Sequence, residues 1–159
     1  MTDTVLIIPL DGRQSDAARA IQRGAMRYLA ALGLFGVPEL SLASGRRADI
    51  TVLDAKGEIW IIEIKSSVID FRTDRKWHEY RQHCDRLFFA VAPDFPVEIL
   101  PEDTGLLLAD AFGAALVREA PRHPLPAHVR RSMTLHLART ASLRLQAAMD
   151  PESLLPRDL

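Results

Sequence analysis

The sequence predicts a mixed α/β (α+β) domain in the order helix, three strands, helix, strand, followed by an accessory β-hairpin and a last helix. Three observations carry this. Apolar residues recur at helical spacing from Ser15 to Leu32: Ala18, Ile21, Ala25, Tyr28, Leu29 and Leu32. Residues 48–67, ADITVLDAKGEIWIIEIKSS, have the pattern of two strands joined by a tight turn. Leu87–Ala92 is almost unbroken apolar sequence, as expected of a strand covered on both faces. The chain has 159 residues, of which 48% are apolar, enough for one domain with a real core.

The elements follow in order. Residues 1–13 form an arm or edge strand, with apolar Val5–Leu10 and a turn at Asp11-Gly12. The first helix takes Ser15 or Asp16 as its N-cap and stops at Gly33. The first strand covers 37–43, with Pro38 near its edge. The loop Ser44-Gly45-Arg46-Arg47 leads into the hairpin, whose strands are Ala48–Asp54 and Glu58–Ser67. Its three-residue loop, Ala55-Lys56-Gly57, has Gly where a left-handed residue is needed.

A turn centred on Lys56 puts Asp49 directly opposite Glu63 on one face, and Lys65 lies beside Glu63 on that face. Opposed like charges are destabilising. The second strand is otherwise apolar (Ile59, Trp60, Ile61, Ile62, Ile64), so two carboxylates and an ammonium there need partners. A divalent metal, which takes hard oxygen ligands, would satisfy them.

Residues 70–85, DFRTDRKWHEYRQHCD, read as a loop and helix whose apolar stripe is Trp77, Tyr80 and Cys84. His78 and His83 are five apart, which rejects a histidine metal pair on one helix face. Leu106–Ala109 and Ala114–Arg118 form the accessory hairpin, and Pro121, Pro124 and Pro126 mark a linker. The last helix spans Ala127–Met149, with Val129, Met133, His136, Leu137, Leu143 and Ala147 on its apolar face. It can pack on the core, lie along DNA or pair with a second copy as a homodimer; packing is expected. The tail from Asp150 is expected to be loose.

Composition excludes several classes. No apolar run approaches the roughly 20 residues of a membrane helix, and the N-terminus does not read as a signal peptide. The cytoplasm is therefore the expected compartment. The single cysteine, Cys84, rules out a disulfide framework and a Cys-based zinc site, and it is expected to pack. Net charge is −1, which speaks mildly against nucleic acid, but residues 118–149 hold six arginines and a single acid, Glu119. There is no internal repeat, glycine-rich phosphate loop or nucleophile elbow.

Asp49 followed fourteen positions later by Glu63-Ile64-Lys65 resembles the PD-(D/E)XK nuclease superfamily, in which an Asp at a strand start precedes Glu-x-Lys on the next strand. The run Ile62-Glu63-Ile64-Lys65-Ser66-Ser67 is similar to the archaeal Holliday-junction resolvase branch. Over the whole chain the sequence resembles the MmcB family of bacterial DNA repair proteins, which carry this nuclease core. The resemblance implies a restriction-endonuclease-like three-layer αβββαβ core in a single domain. It implies DNA as partner and, if the protein is catalytic, a metal-dependent endonuclease acting on branched or damaged DNA. Asp49, Glu63 and the backbone carbonyl of Ile64 would hold Mg²⁺ or Mn²⁺, and Lys65 would orient the attacking water.

Related nucleases often add a Glu from the first helix. Counting back from Gly33 puts Gln22 there, pointing into the site but a poorer metal ligand than a carboxylate. Arg46, Arg47, Ser66, Arg72 and Lys76 are the expected DNA contacts. Two other classes stay open: a DNA-binding repair protein of nuclease fold with little or no cutting, and a structural or interaction protein that does not touch DNA.

Overall fold

The computed structural model describes residues 14–154. The expected N-terminal arm at 1–13 lies outside them. A six-stranded sheet has its strands in chain order: β1 (Gly36–Ser41), β2 (Arg47–Leu53), β3 (Ile59–Lys65), β4 (Arg86–Val91), β5 (Gly105–Ala109) and β6 (Ala114–Arg118). β1–β2, β2–β3 and β5–β6 pair antiparallel, and β3–β4 and β4–β5 pair parallel. The central strands β3 and β4 are buried almost throughout, as parallel strands covered on both faces must be.

One face is covered by α1 (Asp16–Ala31), capped by the Ser15 side chain, which accepts from the Ala18 amide. Its stripe of Ile21, Ala25 and Leu29 packs on Ile50, Val52, Ile62, Ile64 and Phe88. Gly24 permits the close approach: a Cβ there would stand 1.8 Å from the Asp110 carbonyl oxygen in the β5–β6 turn. The other face is covered by α2 (Val68–Thr73), a 3-10 turn at Trp77–His83 and α3 (Ala127–Met149). The expected αβββαβ order and three layers are present, and β5 and β6 extend the same sheet.

Three expectations change. The helix expected within residues 70–85 is two short pieces broken at Asp74, whose backbone leaves helical geometry (φ −84°, ψ 86°) and whose carboxylate accepts from the Lys76 amide. Trp77, Tyr80 and Cys84 still pack inward, but from a 3-10 turn. Of the face expected on α3, Met133 and Leu137 are buried and Leu143 is exposed. From its middle onward α3 is tied down by polar contacts instead: His136 meets the Ser41 carbonyl at 2.5 Å, and Arg144 donates to the carbonyls of Pro38 and Glu39. The tail turns once more at Pro151–Leu154, where the Ser153 amide donates to the Asp150 carbonyl.

Asp85 anchors the proline-rich linker and α3 to the sheet. Fully buried, it accepts from the Ile59 and Leu125 amides and, in a bidentate ion pair, from two Arg130 nitrogens at 2.6 Å each. Burial alone would raise its pKa, but Arg130 and the two amides outweigh it and hold it at about 2. A carboxyl lower in the folded chain than in the unfolded one stabilises fully above the unfolded value, near 4, and stops doing so as pH falls through about 2. Arg130→Met leaves this carboxylate buried without its cation and should cost about 3–5 kcal/mol in urea unfolding at pH 7. The loss should shrink as pH falls from about 4 to about 2.

Candidate active site

The hairpin register sets the site. Asp54 caps the loop, accepting the amides of Lys56 and Glu58 at 2.8 Å, and Gly57 has φ +83°. From Leu53↔Ile59 the β2–β3 ladder runs to Ile50↔Ile62 and stops. At the next step Asp49 and Glu63 face each other, and their side chains replace the backbone pairing. The Ile64 amide donates to Asp49 Oδ2 at 2.7 Å, and the Asp49 amide donates to Glu63 Oε1 at 3.1 Å. The strands part here, and a cleft of about 680 Å³ opens, with Asp49, Glu63, Ile64 and Lys65 in its wall.

Burial disfavours both charges. Glu63 is 3% exposed, and its pKa is raised well above the usual carboxylate range by desolvation and then by the Asp49 charge. Asp49 is raised to about 6 by desolvation, despite the Ile64 amide. Lys65, also buried, points its ammonium at another acid: Nζ lies 2.7 Å from Asp74 Oδ2. Asp74 further accepts from Arg46 at 2.9 Å, and these cations outweigh desolvation to hold it below the ordinary range. Arg46 lies over the Tyr80 ring at 4.9 Å, and the Tyr80 hydroxyl donates to the Arg47 carbonyl at 3.1 Å.

The remaining expected residues divide. Ser66 lines the cleft, and both its amide and its hydroxyl donate to Asp70 Oδ2. Arg72 and Lys76 are exposed on and just after α2. Arg47 lines the cleft with its Nε 2.5 Å from Glu39 Oε2, whereas Arg46 is engaged within the site. Gln22 is not in the cleft wall, contrary to the expectation that it points in. Its Oε1 accepts from Gln14 Nε2 at 2.6 Å, and Gln14, Ser15 and Ala18 face the cleft from that side. Ser15, Ala18 and Gln22 share a helix face, so the count from Gly33 found the right face one turn too deep.

Sequence reasoning missed Glu39, Asp70 and Asp74. Asp70 and Asp74 are four apart just after Lys65, a spacing that places both on one side of a turn of helix. In all, Glu39, Asp49, Glu63, Asp70 and Asp74 line the cleft against the cations of Arg47 and Lys65. Among the described residues no three carboxylate, histidine or cysteine side chains already stand together as a cation site. Asp49, Glu63 and the Ile64 carbonyl nevertheless offer hard oxygens, and Mg²⁺ commonly takes one or two protein carboxylates and fills its shell with water and phosphate. The donor set therefore fits Mg²⁺ or Mn²⁺, and the excess of negative charge gives a cation electrostatic reason to bind.

The two raised pKa values have a consequence for stability. A carboxyl whose folded pKa lies above its unfolded one costs stability once pH passes the unfolded value, and for Asp49 the cost grows as pH rises from about 4 to about 6. Glu63→Gln keeps the oxygen that accepts from the Asp49 amide and removes a charge. In chelator-treated protein it should raise stability at pH 7.5, with the gain shrinking as pH falls towards 4, where the unfolded carboxyl is protonated too. Urea unfolding across that range checks this.

The family model described as "DNA repair protein MmcB-like" matches residues 7–152. Among solved structures, the SPO1766 protein of unknown function from Silicibacter pomeroyi is similar at 45% identity and a TM-score of 0.83, over 87% of this chain and 95% of that one. No curated protein matches. Among the described residues no helix is long and apolar enough to cross a membrane. Matched over nearly its whole length, the chain belongs to the MmcB-like DNA repair protein family.

Proposed function

We propose that the protein is a metal-dependent DNA endonuclease acting in repair, hydrolysing phosphodiester bonds in branched or damaged DNA. One observation carries the reading: Asp49 and Glu63 face each other where β2 and β3 part, with Lys65 in the same cleft wall. Asp49, Glu63 and the Ile64 carbonyl would hold Mg²⁺ or Mn²⁺, which supplies polarisation of the phosphate and a water of lowered pKa. The chain's own residues do the rest. Lys65 orients the water and offsets charge growing on the phosphate. Asp74 keeps the Lys65 ammonium paired and fixed in the cleft wall. Arg72 and Lys76, exposed beside α2, meet the sugar-phosphate backbone without reading sequence.

A second reading, a DNA-binding repair protein of nuclease fold with little or no cutting, is favoured by a different observation. The Lys65 ammonium is directed to Asp74, and α1 contributes no carboxylate to the cleft.

Incubation with branched and single-stranded DNA in Mn²⁺ separates the two. The nuclease reading expects metal-dependent cleavage that falls by orders of magnitude in Lys65→Ala, while DNA affinity changes little, because the ammonium acts in the transition state. Equal cutting by mutant and parent removes Lys65 from the mechanism, and DNA binding without cutting by the parent selects the second reading. Neutralising Arg72 and Lys76 together should make the log–log salt dependence of binding shallower by about two units, one for each lost phosphate contact. An unchanged slope moves the DNA surface elsewhere.

A further inference from the structure

Glu39 is the one non-glycine residue among those described with a positive φ, at 53°. β1 and β2 pair Pro38 with Ile50 and Leu40 with Ala48, so Glu39 falls opposite Asp49 and forms no ladder pair of its own. Its backbone is gripped from outside the sheet: the Arg144 guanidinium donates to the Pro38 carbonyl and, at 2.7 Å, to the Glu39 carbonyl. Its side chain is nine-tenths buried and lines the same cleft as Asp49 and Glu63. Oε2 is buried and accepts no aligned hydrogen bond; Arg47 Nε stands 2.5 Å away as an ion pair. Glu39, Asp49 and Glu63 thus form a row across β1, β2 and β3, and the Glu39 charge is among those that disfavour ionisation of Asp49. From α1 and the two residues before it the same cleft receives Gln14, Ser15 and Ala18, none of them acidic.

We propose that Glu39 is the third carboxylate of the cleft, holding the divalent cation together with Asp49 and Glu63, and that Arg144 is the positioning residue that fixes it there. The inference rests on the metal-dependent reading above. The left-handed turn at Glu39 lets an edge strand deliver a carboxylate to a site that the helix leaves short of charge. Among the described residues no three acids yet stand together as a cation site, so on this proposal Glu39 gives up its ion pair with Arg47 when the cation binds.

Calorimetric titration of the full chain with Mn²⁺ tests this without relying on activity. Glu39→Gln preserves shape and should weaken Mn²⁺ binding about 10-fold or more, because affinity follows the charge count of the ligands. Arg144→Met should weaken it about 10-fold with all three acids in place, as loss of an orienting partner does. Gln22→Ala should leave it within about twofold, since Gln22 lies outside the cleft wall. Thermal melts of each variant accompany the titrations; if Arg144→Met does not fold, Glu39→Gln decides alone. Parent-like affinity in Glu39→Gln, alongside loss of binding in Glu63→Gln, overturns the proposal and leaves the metal reading standing. A parent that binds no Mn²⁺ at millimolar concentration overturns the metal reading, and this inference with it.

Discussion

Two carboxylates, Glu63 buried and Asp49 half-buried, face each other where neighbouring strands separate, and much of the site follows from accommodating them. Asp49 and Glu63 each take the amide that a regular ladder would have given to a carbonyl, which ends the β2–β3 pairing and opens the cleft. The two amides lower the cost of burial without removing it, and both groups remain harder to ionise than an exposed acid. A fold selected for stability alone would place apolar side chains here. Keeping the charges is the kind of local destabilisation found where a protein needs a prepared site rather than a quiet core.

The surroundings pair the cations of the cleft with its outer acids. Lys65 is withdrawn to Asp74, and Asp74 is also held by Arg46, itself stacked on Tyr80. Asp70 fastens Ser66 just after β3, so α2 is locked to the strand that carries Glu63 and Lys65. On the far side Arg47 pairs with Glu39 and Arg144 grips the strand beneath it. Membership of a DNA repair family is the context in which the proposed function reads this cleft.

Legibility in the sequence followed the range of the interactions. The hairpin could be read because its register depends only on a three-residue loop and strict alternation, and so Asp49 opposite Glu63 needed no tertiary information. The buried stripe of α1 and the bounds of α3 were legible for the same local reasons. Asp74 was not, because it breaks its helix where it meets Lys65 and Arg46, which reach it from the end of β3 and from the loop before β2. Glu39 lay within reach of the arithmetic used for the hairpin: a turn centred on Ser44 pairs it with Asp49. It was hidden because a glutamate beside a proline reads as ordinary edge-strand sequence. The exposed second half of α3 misled the apolar pattern because α3 is attached from its middle onward by His136 and Arg144, which periodicity does not see.

The central claim is that Asp49 and Glu63 share a divalent cation. Diffraction from a crystal soaked in Mn²⁺, recorded at a wavelength where manganese scatters anomalously, tests it most directly. The account predicts an anomalous peak within about 2.0–2.6 Å of an oxygen from each carboxylate, the range of hard-cation bonds to oxygen. A soaked crystal with both carboxylates ordered, manganese bound elsewhere on the chain and no peak between Asp49 and Glu63 would contradict it.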